Sequence, residues 1–217
     1  MTCLSNDTLK VIVKDITVGI GNGIRGEITN LYFEYRGSVV LQLEGTNTLS
    51  QNLAEDNGGE KAFYGIYHIP SSPDKSGLRG LRYVVPSLTV INKGTLNITG
   101  NVGGVIGNES AGIYATGNLI VDNQGTMTIS NPKTLDFSAG LRAYNSLTIK
   151  GNGKMTVKGG ELTTTTRSSS SGSFGLYSGG KIRILSGKVT AQGGKTVMNP
   201  SLGIYAADSL IVAADTL

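Results

Sequence analysis

A single cysteine, a single histidine and no tryptophan leave this chain of 217 residues short of the side chains that most metal and thiol chemistry requires. Cys3 can close no intrachain disulfide and no thiolate metal site, and His68 alone permits no histidine-based one. The expected metal and cofactor content is therefore none. Charge is also scarce, at 16% of residues, with 19 Lys plus Arg against 15 Asp plus Glu for a net of +4. The balance is uneven: four basic and eight acidic residues precede position 61, leaving fifteen and seven after it. That favours an anionic partner over the later part, but it is too weak and too poor in arginine clusters to argue for nucleic acid. No apolar run approaches membrane-spanning length, so no membrane insertion is expected. Met1 is not followed by a signal-peptide pattern, which a mature domain read without its leader would also show.

What is abundant is glycine, 32 residues, together with Thr, Ser and Asn. This is poor helix material and describes short strands broken by tight turns. The strands repeat. A Gly-aliphatic-x-small segment recurs as GIYH from Gly65, GIYA from Gly112, GLRA from Gly140, GLYS from Gly175 and GIYA from Gly203. Six residues beyond its aliphatic begins a second strand: NLIVDN, SLTIKG, KIRILS and SLIVAA, to which SLTVIN from Ser87 belongs. Seven or eight residues further comes a third: TLNIT, TMTIS, KMTVK and KVTAQ. Each alternates apolar with polar residues, the signature of a half-buried strand.

Units of three strands, 28 to 35 residues long in the later copies, are too short for a four-stranded propeller blade. They suit the coil of a parallel β-helix, in which equivalent strands stack about 4.8 Å apart. The expected fold is all-β, a single-stranded right-handed parallel β-helix of about six coils of three strands with an N-terminal cap. Alternation places Leu88 and Val90, Leu119 and Val121, Leu147 and Ile149, Ile182 and Ile184, and Leu210 and Val212 in two inner ladders. Leu96 and Ile98, Met127 and Ile129, Met155 and Val157, and Val189 and Ala191 form the next pair, and Ile66, Ile113, Leu141, Leu176 and Ile204 line the remaining sheet.

Residues 1–30 read as the cap or an irregular first coil, because LKVIVKDITVGIGNG from Leu9 is strand-like but off the spacing of the later units. Residues 31–217 read as the helix proper. An insertion after Tyr67, HIPSSPDKSGLRGLRYVVP, reads as a protruding loop covering 68–86 and carrying His68, with an active-site lip as the alternative. The last coil is incomplete, so an end-to-end contact, a partner or the remainder of a longer protein is expected to cover it; a longer protein is favoured.

If Ile113 and its equivalents face inward, the next residue faces outward, giving Tyr67, Tyr114, Arg142, Tyr177 and Tyr205 on one face. Aromatic rings beside arginine suit the apolar faces and hydroxyls of sugars, so these five are the candidate glycan-binding residues. Equally, a tyrosine ladder stabilises stacked strands without binding anything. Lys150, Lys154, Lys158, Lys181, Arg183 and Lys188 lie on outward positions or turns of adjacent coils, either as attraction for an acidic glycan or as a solvated, aggregation-resisting face. No catalytic residues are assigned, since Asp74, Glu109, Asp122, Asp136, Glu161, Asp208 and Asp215 share no recurrent register. The pairs Gly103-Gly104, Gly159-Gly160, Gly179-Gly180 and Gly193-Gly194 mark turns and lack the strand-to-helix setting of a phosphate loop.

Laid out this way, the pattern GIYAxxxLxIxxxGxLTVxGG over about residues 31–217 resembles the repeat of pectate-lyase-like right-handed β-helix modules in bacterial cell-surface proteins, adhesin-like or carbohydrate-binding domain-containing. The resemblance implies a secreted or wall-attached module. It implies no catalytic residues, because the calcium-binding Asp and catalytic Arg constellation of pectate lyases has no match here and Arg142 alone does not make one. Three functions follow as expectations: a non-catalytic surface module binding or projecting toward polysaccharide or host glycan, a purely structural spacer, and a polysaccharide lyase or hydrolase.

Overall fold

A computed structural model describes residues 8–20, 28–53, 62–69, 85–102, 107–165 and 171–213. Every strand in it pairs in parallel with its equivalent one unit away, and among the described residues there is no helix. Sheet A stacks β1 (Leu9–Lys14), β4 (Val39–Glu44), β7 (Ser87–Asn92), β10 (Asn118–Asn123), β13 (Ser146–Lys150), β16 (Lys181–Ile184) and β19 (Leu210–Val212). Sheet B stacks β2 (Thr17–Ile20), β5 (Thr46–Leu53), β8 (Thr95–Val102), β11 (Thr126–Ser130), β14 (Lys154–Lys158) and β17 (Lys188–Gln192). Sheet C stacks β3 (Ile28–Glu34), β6 (Ala62–Ile69), β9 (Glu109–Ala115), β12 (Phe137–Ala143), β15 (Gly172–Ser178) and β18 (Ser201–Ala206). The chain is a parallel β-solenoid, and the six strands of sheet B or sheet C are separated by five turns of the chain.

The ladders expected from alternation are those observed. Leu88, Leu119, Leu147, Ile182 and Leu210 share one column of sheet A, and Leu96, Met127, Met155 and Val189 one column of sheet B. Ile66, Ile113, Leu141, Leu176 and Ile204 share a column of sheet C. All contribute to one continuous core except Leu210, which is exposed on the last coil. The stretch LKVIVK, set off register by its spacing, instead pairs with β4 residue by residue from Leu9↔Val39 to Lys14↔Glu44. Its Val11 and Val13 pack against the core, which extends the ladders one coil toward the N-terminus.

Two buried polar columns close the corners. Asn92 Nδ2 donates to Asn123 Oδ1 at 2.7 Å and to the Thr126 carbonyl at 3.0 Å, while Asn123 Nδ2 donates to the Lys154 carbonyl at 3.0 Å. These amides satisfy backbone carbonyls at the turn from sheet A to sheet B, where burial without partners would be costly. Ser110 and Ser138 lie 2.7 Å apart, Oγ to Oγ, at the turn from sheet B to sheet C. Ser138 Oγ also accepts from the Gly160 amide, and Ser173 Oγ accepts from the Gly194 amide, each at 2.7 Å. The glycine pairs at 159–160 and 193–194 are thus turns gripped by serines of the sheet C strand one coil back.

The loop expected over 68–86 begins later than its sequence suggests. His68 and Ile69 belong to β6, and His68 is fully buried, in a column with Phe33 and Ala115. Residues 70–84 of that insertion lie outside the described residues.

Candidate functional site

The outer face of sheet C carries all five candidate residues, in register. The column runs Tyr32, Tyr67, Tyr114, Arg142, Tyr177, Tyr205, one residue per coil. Rings stack directly within it: Tyr67 on Tyr114 at 5.1 Å between centroids and 5° between planes, Tyr177 on Tyr205 at 5.1 Å and 11°. Arg142 bridges the two halves, its guanidinium carbon 4.4 Å from the centroids of both the Tyr114 and the Phe137 rings.

A second set of rings packs beside this column. Tyr64 lies 4.6 Å from Tyr67 and 5.5 Å from Tyr114. Phe137 and Phe174 flank Tyr177 at 5.1 and 5.2 Å, and Phe174 reaches Tyr205 at 5.5 Å. Alanines at 111 and 139 occupy the positions in register between Tyr64 and Phe174, which leaves room for these rings to lean toward the tyrosine column. Strict period-2 counting from Tyr67 would send Tyr64 inward, so these neighbours are not visible from alternation. The repeated glycine changes the parity: a Cβ built on Gly65 would meet Ile98 Cγ2, so Gly65 and Ile66 both face the core and Tyr64 emerges on the outside, as at a β-bulge. The signal in the sequence is the aromatic three residues before the outward one, in AFYGIYH and again in GSFGLYS.

Glu109 completes the cluster. Its carboxylate accepts from Arg142 NH1 at 2.8 Å and from the Tyr64 hydroxyl. Isolated in the sequence, Glu109 is brought to Arg142 because β9 and β12 are neighbours. Burial opposes the charge on Arg142, but Glu109 and then Tyr114 outweigh it and hold the guanidinium above its ordinary range. Burial, and after it the bond to Glu109, push the Tyr64 phenol well above the usual tyrosine range, and burial does the same for Tyr114 against the opposing effect of Arg142. Tyr64 therefore keeps its proton at neutral pH and donates it in a hydrogen bond to Glu109, which clasps β6, β9 and β12 together.

Exposure varies along the column. Tyr67 and Tyr114 are buried, at 6% and 9%, whereas Tyr32 and Tyr205 at its two ends are 50% and 39% exposed. Rings about 5 Å apart leave no space for a sugar between them, so Tyr67 on Tyr114 and Tyr177 on Tyr205 cover one another's faces, Arg142 covers the other face of Tyr114, and Tyr177 is left half-buried. The six basic residues do not form one patch either. Lys150 pairs with Asp122 at 3.5 Å and Lys181 with Asp208 at 3.6 Å, and Arg183 shares sheet A with them, while Lys154, Lys158 and Lys188 lie on sheet B. Among the described residues no three His, Cys, Asp or Glu side chains come together as a metal site would need.

His68 introduces a pH dependence of its own. Backbone groups of Tyr35 and Gly37 lie near the ring without a hydrogen bond of full geometry to either nitrogen, so they only partly counter burial, which pushes the imidazole below its ordinary 6.5. A histidine with a lowered folded pKa takes up its proton more readily when unfolded. Its contribution is therefore undiminished above pH 6.5 and falls as pH drops below that value, by up to about 1.4 kcal/mol per pH unit. Urea unfolding between pH 7.5 and 5 is expected to show this loss, and His68→Leu to flatten it; an unchanged slope in the variant would assign the loss to other groups.

Comparison with protein-family models, with curated proteins and with solved structures finds no significant match. What fold and site define is a class: a parallel β-solenoid with an aromatic column and an Arg–Glu–Tyr clasp on one outer face.

Proposed function

We propose that this chain is a non-catalytic solenoid module of a longer secreted or cell-surface protein, serving as a rigid spacer. It belongs in this reading with the right-handed, pectate-lyase-like modules of adhesin-like proteins that its repeat resembles. The observation that carries it is the mutual covering of the tyrosine faces. A column built to bind sugars would leave ring faces open along its length, whereas here they staple coil to coil, and each aromatic pair adds about 0.5 to 1.5 kcal/mol beyond its buried area. Tyr177→Ala is accordingly expected to lower the unfolding free energy by about 3 kcal/mol. Binding of neutral glycans on an array should be absent in the parent chain, and any binding of acidic glycans unchanged in a Tyr114→Phe variant. Loss of glycan retention in a Tyr177→Ala protein of undiminished stability would reverse the assignment.

The exposure of Tyr205 favours a second reading, in which a glycan stacks on the open ring at the end of the column. Tyr205→Ala then abolishes glycan retention while Tyr67→Phe leaves it intact; retention that survives Tyr205→Ala rejects this reading.

A further inference from the structure

The outer face of sheet B repeats from coil to coil, and the spacer reading makes no use of it. One column runs Thr17, Thr48, Asn97, Thr128, Thr156, Thr190, hydroxyl or amide on every coil. On one side of it the outward residues are Thr46, Thr95 and Thr126, followed by Lys154 and Lys188; on the other, Ser130 is followed by Lys158 and Gln192. No aromatic and no arginine occupies an outward position of these six strands.

Threonine in strands has a structural explanation, since β-branched side chains favour the pleat and pair across neighbouring strands. The lysines do not. Lys154 and Lys188 are direct neighbours on adjacent coils, a like-charge pairing about 4.8 Å apart that opposes stacking. On sheet A the lysines of adjacent coils are compensated, Lys150 by Asp122 and Lys181 by Asp208. On sheet B no carboxylate of the described residues lies within ion-pairing distance of Lys154, Lys158 or Lys188. The positive charge is concentrated on a flat hydroxyl lattice at a cost in self-repulsion that an anionic ligand would remove.

We propose that this face binds an acidic polysaccharide lying along the solenoid axis. Rows of hydroxyls repeating every coil match the hydroxyls of an extended sugar chain, whose residue length is comparable with the coil spacing. Ammonium groups on consecutive coils meet carboxylates carried by consecutive sugars. Nucleic acid fits the face less well, because it offers neither ring platforms for bases nor guanidinium forks for phosphate. The inference is independent of the spacer reading, which concerns sheet C and stands or falls on the tyrosine variants.

The test is affinity electrophoresis of the full chain in gels containing alginate, neutral dextran or inorganic polyphosphate. Retardation by alginate alone is expected, weakening as added salt screens the charges. The Lys154→Gln/Lys188→Gln protein should lose about tenfold or more in apparent affinity, as two charge contacts removed together imply. The Lys150→Gln/Lys181→Gln protein, altered on sheet A, should bind as the parent does. Relief of the like-charge pair leaves the sheet B variant at least as resistant to heat as the parent, so a loss of retardation reads as lost binding. No retardation by alginate, equal retardation by polyphosphate, or equal loss in both double variants would each overturn the proposal.

Discussion

Adding one methyl group at Gly140 is expected to cost about 3 kcal/mol of folding free energy or to prevent folding, at the upper end of what overpacking does. A Cβ there would lie 2.0 Å from Val157 Cγ1 and 2.8 Å from the Gly175 carbonyl oxygen. Val157 is fully buried and β-branched, so it has little freedom to turn aside. The carbonyl belongs to the ladder that joins one coil to the next. The same geometry recurs at each repeated glycine: a Cβ on Gly65, Gly112 or Gly175 would meet the carbonyl oxygen of the next coil's glycine at 2.6 to 2.7 Å. Gly140→Ala measured by urea or thermal unfolding should thus show a large loss, only partly relieved by Val157→Ala because the carbonyl contact remains. Gly19→Ala is the control. Its nearest non-local atom, Ser50 Oγ, is 3.7 Å away, and losing a flexible glycine there should leave stability unchanged or raise it by about 0.5 kcal/mol. A Gly140→Ala protein as stable as the Gly19→Ala protein would refute the packing account.

Arg142→Ala is expected to cost about 3 kcal/mol, from two separable sources. Breaking a fully buried ion pair costs roughly 3 to 5 kcal/mol, but the side chains of Arg142 and Glu109 are 20% and 32% exposed, and solvent screening reduces that share to about 2. The guanidinium also lies against two ring faces, each contact adding about 0.5 to 1 kcal/mol. Arg142→Lys should recover little of the loss, because an ammonium has no plane with which to fill the slot between Tyr114 and Phe137. Pairing Arg142→Met with Glu109→Gln gives a double-mutant cycle that isolates the ion-pair part. A coupling energy near zero, or full recovery by lysine, would contradict the clasp as described.

Both predictions rest on features that the chain states in different degrees of clarity. The inner ladders were readable because alternation with period 2 is itself the physical rule that buries one face of a strand. Leu88, Leu119, Leu147 and Ile182 announced their own register through a spacing repeated from unit to unit. The recurring glycine is visible too, but its reason is not: it makes room for Ile98, Ile129 and Val157 of the sheet B strand that follows in the same unit, residues that only a closed coil brings beneath it. That glycine also reverses the parity of the strand, which is why Tyr64, Phe137 and Phe174 escaped a reading based on alternation alone. Asn92 and Asn123 could have been found, since SLTVIN and NLIVDN end in the same residue. His68 reads as loop because proline-rich sequence follows at once and hides the end of β6.

From the sequence alone came the all-β class, the three-strand unit, the in-register stacking and the identity of one column of side chains on the outer face. Those follow from local rules, repeated often enough to be unambiguous. Tertiary structure alone decided what that column can do. Stacking one coil on the next covers the rings of Tyr67 and Tyr114, brings Glu109 and Tyr64 to Arg142, and separates the lysines into a compensated set on sheet A and an uncompensated one on sheet B. Each of these is a relation between residues one coil apart, roughly 30 to 50 positions along the chain, and its sign depends on which neighbour the next coil supplies.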